Sequence, residues 1–157
     1  MTTAHSPAFS TTTMTEIVLP QHANALGTVF GGQVMAWIDI CAAITAHRHC
    51  GRIAVTVSVD DLTFLAPVHV GDIVMLRGRL NAVFGTSMEA QVELDVEYPD
   101  TGKRKRCVEA FLTFVALGPD GKPGQAPALL CESEDDATRR AAAEGRRAHR
   151  LARRGRG

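Results

Sequence analysis

The segment GGQVMAWIDICAAITAHRH, residues 31–49, decides the fold because it is the long helical pattern in the body of the chain. Its apolar residues surround the helix axis instead of forming one stripe, and such a helix is buried on most sides. Gly51 follows it as a residue that commonly ends a helix. We therefore expect a central helix that a sheet covers only in part, and hence an association of at least two copies of the chain.

Strand-like segments lie on both sides of this helix. One precedes it at residues 14–19, and four follow it at residues 53–65, 72–84, 87–98 and 106–117. In the segment 87–98 apolar and polar residues alternate, which is typical of a strand with one buried face. The order of one strand, a long helix and four strands predicts an α+β fold, in which an antiparallel sheet of about five strands packs against the helix.

The chain divides into four regions by composition. Residues 1–13 are polar and rich in Ser and Thr, so we expect a flexible arm that lacks the features of a secretory signal. Residues 14–118 form the predicted domain, and residues 119–131 are a linker rich in Pro and Gly. Residues 132–157 are rich in Ala and Arg and predict an exposed basic helix or tail.

The overall composition is that of one globular domain. Of 157 residues, 45% are hydrophobic and 22% are charged. No apolar run approaches the ~20 residues that a membrane helix needs. The four cysteines show no CxxC spacing, so we interpret them as reduced thiols of a cytoplasmic protein.

The formal net charge of zero hides an uneven distribution. Eight of the 17 basic residues lie in residues 139–157, where Glu144 is the only acidic residue, so this segment carries +7 and the rest of the chain −7. Such asymmetry is typical of a protein with an anionic ligand or partner. No aromatic residues interleave with these arginines, so nucleic-acid binding is not favoured.

Asp39 lies in the middle of the apolar helix, between Ile38 and Ile40. A buried carboxylate needs a partner, a proton or water, because an unpaired one costs several kcal/mol. One interpretation is a structural Asp that backbone groups or a His satisfy at an interface. The other is a general base or nucleophile at the edge of a pocket.

Two further features precede or open the helix. Asn24 lies in the loop before it, where most Asn residues serve only the turn. Gly31 and Gly32 begin the helix, so their backbone N–H groups can face an anion or a carbonyl oxygen, or the two glycines can simply permit tight packing. His47 and His49 point to different helix faces, and no metal site is expected.

A long motif resembles the signature of the hotdog-fold acyl-CoA thioesterases, of the cytosolic acyl-CoA hydrolase type. It runs LPQHANALGTVFGGQVMAWID over residues 19–39. Further matches are TVSVD at 56–60, FLAPV at 64–68, VGD at 70–72, TSME at 86–89 and FLTFVA at 111–116. The resemblance covers about residues 14–127, with a looser similarity in the basic tail.

The resemblance implies a sheet wrapped around the central helix, in subunits that pair and often assemble as a trimer of dimers. It implies hydrolysis of acyl-CoA to a free fatty acid and CoA. Asn24 and Asp39 would meet from two subunits, with Asp39 as general base or nucleophile and Asn24 orienting water or substrate. Amides near Gly32 would polarise the thioester carbonyl. No cofactor or metal is required, and CoA enters as part of the substrate.

The resemblance also suggests where CoA binds. Val57, Ser58 and Val59, together with Thr86, Ser87 and Met88, would line the pantetheine arm and the phosphates. Arg146, Arg147 and Arg150 of the tail are the best candidates for the phosphates, because a guanidinium binds phosphate through two hydrogen bonds. A solvated charged helix or a disordered tail is the structural alternative.

Two other functions are compatible with the same motif and fold. A non-catalytic acyl-CoA-binding or sensing module would use the same fold. A hotdog dehydratase is less favoured, since that chemistry relies on a pocket His paired with an acid. We expect an acyl-CoA hydrolase of the cytoplasm that binds neither nucleic acid nor membranes.

Overall fold

The computed structural model describes residues 3–155, so that Met1, Thr2, Arg156 and Gly157 lie outside the described residues. Its helices are Pro7–Ser10 (α1), Gly31–Cys50 (α2) and Glu134–Arg154 (α3). Its strands are Thr12–Ile17 (β1), Ala54–Phe64 (β2), Ile73–Phe84 (β3), Ser87–Tyr98 (β4) and Lys103–Ala116 (β5). A short 3₁₀ turn, Pro20–His22, lies between β1 and α2.

The five strands form one antiparallel sheet in the order β1-β3-β4-β5-β2. Strands β1 and β2 are therefore its edges. Helix α2 contacts all five strands, so the sheet curves around it. The predicted α+β hotdog architecture is confirmed.

The core lies between α2 and the apolar face of the sheet. The alternation predicted for β4 is confirmed, because Met88, Ala90, Val92, Leu94 and Val96 are all buried. The approach of β3 to α2 is so close that a Cβ at Gly78 would lie 2.5 Å from the Thr45 hydroxyl oxygen. Only glycine fits at this contact without a shift of Thr45 or of the backbone around it.

Helix α3 packs on the other side of the sheet. It begins after Ser133, whose side-chain oxygen accepts a hydrogen bond from the backbone N–H of Asp136 at 3.1 Å. Such a cap satisfies one of the free N–H groups at the start of a helix. The sheet is thus covered by α2 on its apolar face and by α3 on its polar face.

The N-terminal segment differs from the flexible arm that its composition predicts. Within the described part of residues 1–13, α1 forms and β1 begins at Thr12, which pairs with Gly78 of β3. The backbone of His5 also exchanges hydrogen bonds with Ala128 and Leu130, at 3.0 and 2.8 Å. Pairing with distant residues orders this segment, and local composition does not reveal such pairing.

One face of α2 is left uncovered by the sheet in the single chain. Its apolar side chains Met35 and Ile40 are 46% and 50% exposed. The neighbouring edge strand β2 exposes Val55, Val57 and Val59 by 40–46%. An apolar surface of this kind next to an unpaired strand edge is typical of a protein–protein interface.

Candidate active site

Asn24 is held by its own loop, between the 3₁₀ turn and α2. Its side-chain oxygen accepts hydrogen bonds from the backbone N–H of Leu26 at 2.9 Å and of Thr28 at 3.3 Å. Its amide nitrogen donates to the Thr28 hydroxyl at 2.8 Å. The second amide proton has no acceptor in the part of the chain that the structure describes. The loop therefore fixes the Asn24 amide and leaves one donor free.

The first turn of α2 offers unpaired backbone donors. The residue before the helix, Phe30, provides no side-chain cap, and its carbonyl accepts from Gln33 and Val34. The N–H groups of Gly31 and Gly32 have no acceptor within residues 3–155. These amides lie at the positive end of the helix dipole, where a carbonyl oxygen that gains negative charge is stabilised.

Tight packing does not account for the two glycines in the single chain. A Cβ at Gly32 would meet nothing within 4 Å, and one at Gly31 would lie 3.6 Å from the Phe64 ring. Both positions would accept a methyl group at ordinary contact distances. Of the two interpretations of these glycines, close approach by a ligand is the one that the geometry favours.

Asp39 is exposed in the single chain, which corrects the expectation that it is buried. The sheet covers the opposite side of α2, so the side of Met35 and Ile40 stays open, and Asp39 lies on it. The Thr56 hydroxyl of β2 donates a 2.7 Å hydrogen bond to one carboxylate oxygen of Asp39. Thr56 is thus a contact of the candidate residue Asp39 that was not predicted individually from the sequence, although the TVSVD motif includes it.

Gly32 and Asp39 share one face of α2. They are seven residues apart, which is two helical turns or about 10 Å along the axis. Asn24 and Asp39, in contrast, are not joined by a hydrogen bond in the described chain. A single copy thus presents the helix-start amides and the carboxylate on one open surface, with Asn24 apart from Asp39.

An apolar cavity of about 300 Å³ lies beside the start of α2. Thr28, which bonds Asn24, and Phe64, which faces Gly31, both line it. The remaining lining residues are apolar: Val29, Val34, Leu65, Ala66, Pro67 and Val68. Its composition suits a hydrocarbon chain next to the free amides.

A second cavity, which we call the arginine groove, joins β2 to the end of α3. It has a volume of about 330 Å³ and is lined by Val57, Ser58, Val59, Arg150, Arg153 and Arg154. The structure thus brings three predicted CoA residues together with Arg150. It also adds Arg153 and Arg154, which the sequence analysis did not single out as ligands.

Strand β5 separates β2 from the other predicted CoA residues, Thr86, Ser87 and Met88. Ser87 pairs with Val115 of β5, which in turn pairs with Val55. Thr86 and Ser87 are half-buried, but Met88 is fully buried in the core. The Met88 side chain is therefore not accessible to a ligand in the single chain.

Two of the predicted phosphate-binding arginines have carboxylate partners within the chain. Arg146 binds both oxygens of Glu89, at 2.7 and 2.9 Å, and stacks 3.7 Å above the Phe111 ring. Arg150 donates to both oxygens of Asp60 at 3.1 Å. These contacts attach α3 to the sheet, a structural role that the spacing of the arginines did not reveal.

Arg147 differs from its two neighbours. Its guanidinium lies 4.9 Å from the centre of the Phe84 ring, and it forms no ion pair with any residue that the structure describes. Arg153 and Arg154 likewise have no carboxylate partner within residues 3–155. The free positive charge of α3 is therefore concentrated near its C-terminal end.

Burial raises the pKa of two core cysteines, Cys41 and Cys107, so neither is an activated thiol. Burial raises the pKa of Cys41 to about 11, despite a hydrogen bond with the backbone of Gly78 and the positive charge of Arg48. Such a thiol stays protonated and unreactive at neutral pH. Within residues 3–155, no three His, Cys, Asp or Glu side chains cluster as metal ligands would. No helix among these residues is long and apolar enough to cross a membrane.

Comparison with known proteins gives consistent matches. Residues 26–102 match the family model of the thioesterase superfamily. The uncharacterized acyl-CoA thioester hydrolase YkhA of Bacillus subtilis is 41% identical over 122 residues, which are 78% of this chain and 71% of that protein. The cytosolic acyl coenzyme A thioester hydrolase of Mus musculus is 34% identical over 141 residues, 88% of this chain but only 37% of the mouse protein.

Solved structures match over nearly the whole chain. An acyl-CoA hydrolase from Staphylococcus aureus, in complex with butyryl coenzyme A, coenzyme A and coenzyme A disulfide, has a TM-score of 0.91 at 35% identity. The match covers 96% of this chain and 92% of that one. An apo-hexameric acyl-CoA thioesterase has a TM-score of 0.91 at 36% identity, over 96% and 97% of the two chains. Single alanine variants of the Staphylococcus enzyme, at an aspartate, an asparagine and a threonine, are also similar.

Proposed function

The chain belongs to the thioesterase superfamily as a hotdog-fold acyl-CoA thioester hydrolase, and we propose that Asp39, Asn24 and the amides near Gly32 form its catalytic site. One observation carries this assignment. The Asp39 carboxylate lies on the same open face of α2 as the free N–H groups at the start of that helix, and Thr56 holds it in place. A thioester hydrolase needs both of these elements, an anchored carboxylate and donors for an oxyanion.

Catalysis begins with the thioester carbonyl oxygen at the N–H groups of Gly31 and Gly32 of one copy of the chain. The reacting carboxylate is the Asp39 of the second copy, because about 10 Å along α2 separate Gly32 from Asp39 within one chain. These groups stabilise the negative charge that develops on the oxygen as the carbonyl carbon is attacked. As general base, Asp39 takes a proton from water while the water oxygen bonds to that carbon. The C–S bond then breaks, and the CoA thiolate takes up a proton. As nucleophile, Asp39 would instead attack the carbon itself and the C–S bond would break, releasing the CoA thiolate. Water would then hydrolyse the resulting anhydride to the fatty acid and the free Asp39 carboxylate.

Asn24 acts at this site from the same copy as the helix-start amides, so that it meets the Asp39 of the second copy. It has a fixed amide with one free proton, which suits the orientation of water or of the carbonyl. Its separation from Asp39 within one chain fits a site that two copies complete. The alanine variants of the Staphylococcus enzyme concern the same three residue types as Asp39, Asn24 and Thr56.

The two copies pair through β2 and the open face of α2. Pairing would cover the exposed valines of β2 together with Met35 and Ile40. It would also satisfy the free backbone groups of an edge strand, and it would shield Asp39 from bulk water. We further propose a trimer of such dimers, because solved relatives of this fold are hexameric.

The substrate spans both cavities. The acyl chain would enter the apolar cavity beside Phe64, and the CoA phosphates would bind in the arginine groove. There Arg153 and Arg154 supply free positive charge, while Ser58 and the half-buried Thr86 and Ser87 offer hydroxyls to the pantetheine arm. Arg147 is a further phosphate ligand, whereas Arg146 and Arg150 act mainly in attaching α3.

The reaction needs no cofactor or metal, because a thiolate leaves readily once the carbonyl is polarised. We place the enzyme in the cytoplasm, in line with the cytosolic relative from mouse. Its partners are then acyl-CoA and further copies of itself, and neither a membrane nor a nucleic acid takes part.

The assignment is tested by thiol release from a panel of acyl-CoAs. Asp39→Asn and Asn24→Ala should each lose most of kcat while the oligomer and the affinity for CoA persist. Asp100→Asn, which changes an exposed Asp in the turn after β4, is the matched control and should retain full activity. Full activity in both site variants would refute the assigned roles. Binding of acyl-CoA without thiol release by the wild type would instead indicate the non-catalytic binding module.

A further inference from the structure

The interface between α3 and the sheet is built from charged and polar side chains. Of the residues of α3, Glu134–Arg154, all of which the structure describes, only Ala143 is buried. The helix is attached by ion pairs: Arg79 with Asp136 at 2.7 Å, Arg146 with Glu89 at 2.7 Å, and Arg150 with Asp60 at 3.1 Å. The position of α3, and of the arginines near its end, thus depends on a few carboxylates, of which Glu89 and Asp60 belong to the sheet and Asp136 to α3 itself.

Asp60 is the most highly connected of these carboxylates. Its side chain is only 5% exposed, and it accepts hydrogen bonds from Ser58 at 2.9 Å, from Thr113 at 2.5 Å and from Arg150 at 3.1 Å. Arg150 also donates to the Thr113 hydroxyl at 2.8 Å. Burial acts to raise the pKa of Asp60, but the hydrogen bonds from Thr113, Ser58 and Arg150 together hold it below its ordinary value. The carboxylate is therefore ionised and fixed at neutral pH.

Asp60 links the two walls of the arginine groove. Ser58 belongs to the β2 wall and Arg150 to the α3 wall, and both bind the same carboxylate. We propose that Asp60 is a positioning residue, which sets the width of the arginine groove and thereby the affinity for the phosphates of acyl-CoA. This inference rests on the proposed binding of those phosphates in the groove.

The charge of Asp60 and its contacts predict opposite effects of its replacement on the affinity for phosphate. Asp60 neutralises Arg150, so the attraction for a polyanion comes from Arg153 and Arg154. Simple electrostatics predicts that removal of the Asp60 charge tightens phosphate binding, because the groove gains net positive charge. The contacts predict the opposite, because Asn keeps only one acceptor oxygen and presents an NH2 donor to the Arg150 guanidinium and to one of the two hydroxyls. The last turns of α3 then lose their fixed position. The two effects differ in sign, so a measurement separates them.

Glu89 provides a matched comparison. Its side chain is 2% exposed, and it binds Arg146, one helical turn before Arg150. It also accepts a 2.9 Å hydrogen bond from Asn81. Neither Arg146 nor Asn81 lines the arginine groove. Loss of Glu89 therefore weakens the attachment of α3 to a similar degree without removing the link between the groove walls.

The test compares Asp60→Asn, Glu89→Gln and Glu144→Gln in the intact oligomer, with butyryl-CoA and a butyryl-pantetheine thioester as substrates. Glu144 is an exposed residue of α3, so its substitution controls for the removed negative charge. Asp60→Asn should raise KM for butyryl-CoA about tenfold, as loss of one charge-assisted contact predicts, with kcat little changed. The same variant should change kcat/KM for the pantetheine thioester much less, because that substrate lacks the phosphates and keeps only the contact with Ser58. Glu89→Gln should shift KM for butyryl-CoA much less, and Glu144→Gln should not shift it.

Calorimetric titration of each variant with free CoA gives the affinity without reference to catalysis. A weaker affinity for CoA in Asp60→Asn alone supports the inference, even if the roles of Asp39 and Asn24 prove wrong. The inference is overturned if Asp60→Asn binds CoA as tightly as the wild type or more tightly. It is also overturned if Glu89→Gln loses as much affinity, or if the pantetheine thioester is affected equally.

Discussion

Replacement of Thr56 by valine removes the hydrogen bond that orients Asp39 and changes the shape of the side chain very little. The Thr56 hydroxyl lies 2.7 Å from a carboxylate oxygen of Asp39, a short distance that is typical of a charge-assisted bond. Thr63→Val is the matched control on the same strand. The Thr63 hydroxyl lies 3.5 Å from an oxygen of Asp61, at the limit of a hydrogen bond.

The size of the effect follows from the strength and exposure of the bond. A hydrogen bond to a charged group contributes about 1.5–3 kcal/mol when it is buried. Because both residues are exposed in the single chain, screening by solvent reduces the contribution to the lower end of this range or just below it, about 1–1.5 kcal/mol. If the bond acts in the transition state, this corresponds to a fall in kcat of roughly 5–12-fold.

Initial rates of thiol release give kcat and KM for both variants. Thr56→Val should lower kcat and leave KM nearly unchanged, because the valine lies at Asp39 and not in the arginine groove. Thr63→Val should match the wild type. An unchanged kcat in Thr56→Val would show that the contact with Thr56 does not prepare Asp39 for catalysis. A rise in KM alone would show that Thr56 contributes to substrate binding and not to catalysis.

Three further predictions concern the fold and its assembly. Gly78→Ala should lower the free energy of unfolding by about 1–3 kcal/mol in urea titrations, since its Cβ would lie 2.5 Å from the Thr45 hydroxyl; an unchanged midpoint would contradict the close packing. Burial lowers the pKa of His49 in the folded chain, although a hydrogen bond with the Pro127 carbonyl opposes this. As the pH falls, His49 is therefore protonated in the unfolded chain before it is protonated in the folded chain. Stability should therefore fall as the pH drops below about 6.5, and urea titrations of His49→Gln should show a smaller fall. Val55→Lys adds a charge to the exposed edge strand β2 and should yield smaller species in analytical ultracentrifugation; an unchanged mass would exclude pairing through this edge.

Much of the fold could be predicted from local patterns. The helix predicted at 31–49 is observed as Gly31–Cys50, and the strand predicted at 87–98 is observed as Ser87–Tyr98. Both have strong periodicity and clear boundaries in sequence. Residues 3–13 lack such a pattern, although the strand-like run at 14–19 predicted most of β1. The beginning of β1 at Thr12 is defined by its pairing with β3, and His5 is held by Ala128 and Leu130. The composition of a segment does not reveal contacts with residues that are distant in sequence.

The residues of the candidate site could be predicted from the sequence, but the exposure of Asp39 in the single chain could not. The motif identified Asn24, Gly32 and Asp39, whereas burial of Asp39 was inferred from its apolar neighbours in sequence. Those neighbours include Met35 and Ile40, which the single chain leaves open. An apolar helix face looks the same in sequence whether a sheet or a second copy of the chain covers it.

The partners of the tail arginines were missed for a related reason. Arg146 and Arg150 are four residues apart and so lie on one stripe of a helix, and the alternation of β4 puts Glu89 on the face opposite to Met88. Each pattern is local, and neither indicates that the two faces meet. A search for complementary charge between the polar face of the strands and the basic stripe would have found this pairing.

The central claim is that Asn24 and Asp39 act together from two copies of the chain. Its most direct test is to unfold Asp39→Asn and Asn24→Ala together, refold them as an equal mixture, and measure thiol release. Each variant alone should be nearly inactive. In mixed dimers one of the two sites receives an intact Asn24 from one copy and an intact Asp39 from the other, so random pairing should restore about a quarter of the wild-type activity. A mixture as inactive as its components, with dimers present, would contradict a shared site.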